Sequence, residues 1–389
     1  MVKPNAATER SLVSARPSWW SSLVERYFAL RNRIVASERF QRWAAGFPLT
    51  RWVAQKRAMA LFDICAGFVY SQILYACVTL DIFERLADAS KTVAQLCKET
   101  NMPAPGMRRL LDGAVALRLL EHRGGERYGL GTLGAALRGN PGVARMIEHH
   151  PMLYRDLDDP LALLRGRDDT ELGAFWAYAS TDDPRALDTA RVTAYSRLMA
   201  ESQQFIARDV LEAYPLHRHR RLLDVGGGRG AFLIAAARKC PDLELSLFDL
   251  PAVADQATEF FKDAGLELRA QAVGGDVFSD VLPTGADVLS LVRIVHDHDD
   301  DAAMAILRSA HQALPRGGVL LLAEPMARTR GAQAMGDAYF GFYLLAMGHG
   351  QPRSPNRLRD MVLAAGFSSV ELRPTRRPML TKLLVARRD

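Results

Sequence analysis

The chain has 389 residues, 49% of them apolar and 24% charged, with a net charge of +6. That balance is ordinary for a globular protein with at least one large core, and the length suggests two domains rather than one. The modest positive charge leaves room for an acidic partner or an anionic membrane, while Cys65, Cys77, Cys97 and Cys240 are scattered, which excludes metal-ligand spacing and reads as free thiols in a reducing compartment.

In chain order, residues 1–15 are polar and read as disordered. Residues 1–57 as a whole form a basic, aromatic arm. Arg26, Arg31, Arg33, Arg39, Arg42, Arg51 and Arg57 outnumber Glu25 and Glu38, and tryptophans and phenylalanines are interleaved. Trp20, Leu23, Tyr27, Leu30 and Ile34 share one helical stripe. Such a helix either packs on the body or on a second subunit, or lies in a bilayer interface as a peripheral contact. No signal-peptide core is evident, and the apolar stretches 64–78 and 339–347 read as too short or too polar to span a bilayer. A cytoplasmic protein is expected.

Residues 58–138 read as helices followed by a hairpin. Helical spacing covers 94–99 and 107–120, joined by the turn 101–106, and strands at 119–123 and 127–130 flank Gly124-Gly125. This is a winged-helix pattern. Its second helix offers only Arg108, Arg109 and Arg118 as cations, beside Asp112, too thin a surface for phosphate neutralisation. A dimerising module, with no nucleic-acid partner, is the expectation. Residues 139–220 read as a helical connecting region.

From residue 221 to 389 short apolar runs alternate with helical patterns. The runs at 222–225, 243–248, 287–292, 318–323, 370–372 and 381–386 predict a mostly parallel sheet covered by helices, an α/β domain. The first run continues into Asp224-Val-Gly226-Gly-Gly228-Arg-Gly230, a strand, a tight glycine turn and a helix start, where backbone N–H groups face a ligand. Asp249, followed by Leu250, ends the next strand, about 20 residues on, as ribose-binding carboxylates do. Asp276-Val277-Phe278 ends the one after, giving an acceptor and a stacking ring for an adenine. The acid Asp224 ahead of the turn would repel a pyrophosphate and suits the cationic amino-acid end of S-adenosylmethionine. A dinucleotide is thereby disfavoured.

Val292-Arg293-Ile-Val-His296-Asp-His-Asp-Asp-Asp301 follows another strand. It sets His296 at a strand's carboxyl end, where a neutral imidazole can take a hydroxyl proton. A metal site is disfavoured, because the acids of 296–301 are adjacent rather than spaced to converge. His298 reads as a surface or orienting residue. Glu324, one βα unit later, either orients His296 or is a helix N-terminal acid.

The chain from about residue 60 onward resembles the plant and bacterial small-molecule O-methyltransferases in LLDVGGGRG, LFDLP, GGDVF, RIVHDHDD, ALPRGGVLLLAEPM and LAAGF. The resemblance implies a Rossmann-like class I methyltransferase domain behind an N-terminal winged-helix dimerisation domain, and hence a homodimer. It implies S-adenosylmethionine as cofactor and S-adenosylhomocysteine as product, with Gly226, Asp249, Asp276, Phe278 and Arg293 at the cofactor, His296 as base and Glu324 as flanking carboxylate. Two departures stand out. His296-Asp297-His298 replaces the usual His-Asp-Trp, and Gln351-Pro352-Arg353-Ser354 lacks the second glutamate many members place there, leaving Glu324 alone to polarise His296.

Within the family, the extended N-terminus, FDICAGFVYSQILYACV and PRSPNRLRDMVLAAGF are similar to the carotenoid hydroxyl methyltransferases of purple photosynthetic bacteria, which implies the 1-hydroxyl of an acyclic carotenoid as acceptor. The apolar tract 334–350 reads equally as the lining of a channel for such a substrate or as core or dimer surface. The alternatives are a tetrapyrrole C-methyltransferase, a methyltransferase of aromatic or polyketide metabolites, and a winged-helix regulator that senses S-adenosylmethionine.

Overall fold

A computed structural model describes residues 19–176, 203 and 205–389. The polar segment 1–15 and the stretch 177–202 of the connecting region lie outside the described residues. By internal contacts the chain divides into two compact units, Met1–Gln72 and Ile73–Asp389. The division falls inside a continuous helix, Arg51–Thr79, and not at the 57/58 boundary suggested by composition.

The first unit is helical, with Trp19–Ala36, Glu38–Gly46 and the start of Arg51–Thr79. Trp19, Trp20, Leu23, Tyr27, Leu30 and Ile34 are all exposed, so the stripe read from the sequence is uncovered within this unit. Arg51–Thr79 corrects the reading of 64–78: that stretch is the second half of a 29-residue helix, long and apolar enough by length and composition to cross a membrane. Its last turns, at Cys77 and Val78, are instead core of the second unit.

The second unit opens with the winged-helix pattern. Thr92 caps helix Val93–Thr100 through a reciprocal capping box with Gln95, and Asn101 ends it in the left-handed conformation. Helix Ala104–Ala116 follows and stops earlier than spacing predicted, because Arg118 takes φ 58° and turns the chain into a strand. Strands β1 (Lys91–Thr92), β2 (Leu120–Arg123) and β3 (Arg127–Leu130) form a small antiparallel sheet.

The remaining strands, β4 (Arg221–Val225), β5 (Glu244–Asp249), β6 (Ala270–Gly274), β7 (Val288–Val292), β8 (Val319–Glu324), β9 (Ser369–Arg373) and β10 (Lys382–Arg387), form one sheet in the order β6-β5-β4-β7-β8-β10-β9. β4 to β8 are parallel, and β10 runs antiparallel to both neighbours. Alternate residues feed two cores. Leu222, Leu245, Val288 and Leu321 pack under helices Ala231–Lys239 and Pro251–Asp263. Leu223, Leu289, Leu320 and Leu322 pack under Asp300–Ala313 and Pro355–Ala364. Burial on both faces explains the near-continuous apolar runs of the central strands. The strand order reverses between β4 and β7, which opens a crevice at their carboxyl ends. This is the Rossmann-like topology the resemblance implied.

Candidate active site

An open cleft occupies that crevice. Its floor is the turn after β4. Gly228 adopts φ 58°, and its N–H donates to Asp249 Oδ2 at 2.8 Å. A Cβ at Gly228 would meet nothing within 4 Å, so the cleft side of the turn is open to a ligand. Asp249 Oδ1 accepts from Leu250 N at 2.8 Å. Burial raises Asp249 to about 6, against the lowering effect of those two hydrogen bonds. Gly226, Gly228, Asp249, Leu250, Asp276, Val277, Phe278 and Arg293 all line the cleft. Phe278 is 49% exposed there, its ring edge-on to His298 with centroids 5.3 Å apart. Arg293 takes φ 60° as β7 ends.

Asp224 differs from the expectation. It is 1% exposed and absent from the cleft wall. Its Oδ1 accepts from Ser290 Oγ at 2.6 Å, and Oδ2 sits so close behind the turn that a Cβ on Gly227 would lie 2.3 Å away. Burial raises it to about 7, opposed by the Ser290 hydrogen bond and assisted by the charge of Asp249. The carboxylate lies behind the turn, and among the described residues its Oδ2 has no hydrogen-bond partner.

His296 sits on a single 3₁₀ turn, Val295–Asp297, and is 5% exposed. Its Nδ1 is hydrogen-bonded to Glu324 Oε2, while Glu324 Oε1 accepts from Ile294 N (3.1 Å) and Val295 N (2.8 Å). The helix-cap reading of Glu324 is thereby displaced. The other ring nitrogen, Nε2, faces Asp297 Oδ1 at 3.0 Å, so Glu324 is not the sole carboxylate on the ring. Burial opposes the imidazolium, yet Asp297 and Glu324 together outweigh it and lift His296 to about 10. Asp297 and His298 line the cleft. His298 is therefore a wall residue, half-buried opposite Phe278, and not a surface one.

The segment that lacks the second glutamate has another task. Arg353, buried, donates to Val295 O (2.8 Å), His298 O (2.7 Å) and Asp300 Oδ1 (2.8 Å). Gln351 N donates to His296 O at 3.0 Å, and Asp299 accepts from Gly350 N at 3.1 Å. The acids after His296 are thus engaged in fastening the 295–300 loop.

Trp176, Gln203, Arg229 and Ile294 also line the cleft and were missed by sequence reasoning. The Trp176 indole N–H donates to Tyr343 Oη at 3.0 Å, and that hydroxyl meets His149 Nε2 at 2.9 Å. Tyr339 Oη meets His150 Nε2 at 3.0 Å. Burial lowers His149, and it lowers His150 to about 4. Tyr339 closes a π-helical turn, Ala334–Tyr339, ahead of helix Phe340–Met347. Tyr343, Leu344 and Met347 pack with Leu153, Leu163, Leu172 and Trp176. Tyr343, Leu344, Ala346 and Met347 of the apolar tract are thus core, while Phe342 is exposed and Phe340 approaches His296 edge-on at 6.2 Å between centroids.

Comparison with known proteins matches residues 154–368 to the O-methyltransferase domain and 62–138 to the O-methyltransferase dimerisation domain. The chain is 41% identical over 358 residues to the demethylspheroidene O-methyltransferase of Cereibacter sphaeroides, covering 91% of this chain and 93% of that one. It is 40% identical to the enzyme of the same name from Rhodobacter capsulatus, covering 92% and 89%. Among solved structures, human N-acetylserotonin methyltransferase in complex with SAM superposes with a TM-score of 0.70 at 25% identity, over 85% of this chain and 97% of that one.

Proposed function

The chain belongs to the O-methyltransferase family whose catalytic domain follows a dimerisation domain, and on that premise we propose that it methylates the 1-hydroxyl of an acyclic carotenoid, as a homodimer. The observation that carries the acceptor class is the likeness, over nine-tenths of the chain, to two relatives named for demethylspheroidene. The cofactor is S-adenosylmethionine, which when bound supplies an electrophilic methyl group on a cationic sulfur and leaves as S-adenosylhomocysteine. The fit of the cleft supports this: an open glycine turn, a carboxylate at the end of β5, and an exposed ring at Phe278.

In this reading Asp249 holds the ribose hydroxyls, with Leu250 and Val277 against the nucleoside and Asp276 and Phe278 at the adenine. Gly226, Gly228 and Arg293 border the amino-acid end. His296 is the base. An acceptor hydroxyl takes the place of Asp297 at Nε2, and His296 removes its proton as the oxygen attacks in line. Glu324 keeps Nδ1 protonated and stabilises the imidazolium that forms. The ring must first be neutral, and positive charge brought into the cleft beside Asp297 draws on the same carboxylate and eases the proton off. Alignment of hydroxyl and methyl supplies much of the remaining acceleration.

A lipid-soluble acceptor also gives the arm a purpose. Its exposed tryptophans and arginines suit an anionic bilayer surface, which supports a peripheral position on the cytoplasmic face of the inner membrane. Sedimentation with anionic and neutral vesicles tests this, and equal recovery with both would remove charge from the explanation. For the reaction itself, labelled methyl transfer is measured in detergent to a 1-hydroxy acyclic carotenoid, a bacteriochlorophyllide and a catechol. Label in the carotenoid alone is expected, and label in either other acceptor instead would sink the carotenoid assignment.

A further inference from the structure

Among the described residues the cleft wall contains four side chains with strong acceptor oxygens: Gln203, Asp249, Asp276 and Asp297. Three are engaged. Asp249 takes two backbone N–H groups, Asp276 takes Phe278 N and Ser279 Oγ, and Asp297 faces His296. Gln203 differs. It is 8% exposed, and its Oε1 is buried with no hydrogen-bond partner among the described residues. An amide oxygen held away from water without a donor costs free energy, and native chains keep such atoms where a ligand completes them. Asp224, the residue expected to meet the cationic end of the cofactor, is shut behind Gly227.

Building on the cofactor reading above, we propose that Gln203 Oε1 accepts an N–H of the α-ammonium group of S-adenosylmethionine. The amino-acid end of that molecule carries three N–H donors, while the hydroxyls of its ribose already have Asp249. A neutral amide also suits a wall that already holds Asp297, since it receives the ammonium without adding a further buried charge.

The test is calorimetric, on the full-length chain with two ligands. S-adenosylhomocysteine carries the amino-acid end, and 5′-methylthioadenosine lacks it while keeping the ribose and adenine. Gln203→Leu, of similar size with no acceptor, should weaken S-adenosylhomocysteine by about tenfold or more, the scale of a hydrogen bond to a charged group. Its affinity for 5′-methylthioadenosine should stay within twofold, which also shows the variant to be folded. Gln203→Glu should hold S-adenosylhomocysteine at least as tightly as Gln203 does. Equal weakening of both ligands by Gln203→Leu, or no weakening of either, would overturn the assignment and leave the cofactor reading standing. Failure of the unaltered chain to bind either ligand would overturn the cofactor reading itself, and this assignment with it.

Discussion

Replacing Glu324 by Gln changes one atom and should disable the site through the tautomer of His296. Glu324 is 1% exposed, and its two oxygens have separate tasks: Oε1 receives the Ile294 and Val295 N–H groups, and Oε2 receives Nδ1 of His296. A glutamine can keep its carbonyl on one side only. With the carbonyl turned to His296, its NH₂ would oppose two backbone N–H donors, and each buried donor left unpaired costs about 1–3 kcal/mol. The other orientation is therefore favoured. The NH₂ then faces Nδ1, which must become an acceptor, and the ring proton moves to Nε2, the nitrogen assigned to receive the substrate proton. A comparable exchange in a catalytic triad costs about 10⁴ in rate. We expect a roughly 1,000- to 10,000-fold loss in kcat, equivalent to about 4–5.5 kcal/mol in the barrier. Single-turnover transfer of labelled methyl at saturating cofactor measures the loss. Cofactor affinity should hold, because Glu324 does not line the cleft. Turnover within tenfold of the unaltered enzyme, with cofactor bound normally, would refute both the tautomer argument and His296 as base.

The pKa shifts make further predictions. His296 is raised from 6.5 to about 10, so folding takes up a proton there; its stabilisation is complete below about pH 6.5 and is lost as pH climbs to 10. His296→Gln should accordingly flatten the fall in melting temperature between pH 7 and 10, and an unchanged slope would count against the paired carboxylates. Asp224 is a raised acid, moved from 3.8 to about 7, so its ionisation opposes folding as pH rises through that window. Asp224→Asn should gain stability relative to the unaltered chain from pH 4 to pH 8, whereas a pH-independent difference would contradict the buried, unpaired Oδ2. At Gly230, φ is 79° and a Cβ would stand 2.4 Å from Phe261 Cε1 in a fully packed core. Gly230→Ala should cost about 2–4 kcal/mol in urea unfolding, from backbone strain plus overpacking, and a cost under about 0.5 kcal/mol would mean that Phe261 can yield.

Much of this fold was legible because its signals are local. Strands buried on both faces must be apolar throughout, so β4, β7 and β8 announced themselves as runs, and the glycine turn was visible because only glycine tolerates that backbone beside a ligand. The helix ends near Thr92 and Asn101 carried their own caps. Residues at strand ends, such as Asp249, and just beyond them, such as His296, could be placed by counting along the pattern.

What the sequence alone determined, then, was a doubly covered parallel sheet with a cofactor crevice, an oriented histidine beside it, and a helical module ahead. Tertiary structure decided which way each side chain faces. Asp224 and Asp249 are both acids at strand ends, yet one is sealed behind Gly227 while the other lines the cleft, because the turn passes between them. Asp297 and His298 reach the wall only because a 3₁₀ turn, fastened by the distant Arg353, fixes their direction. Trp176 and Gln203 come to the cleft from the connecting region with no motif to mark them. Packing alone brings such distant segments together, and no local period or spacing encodes that proximity.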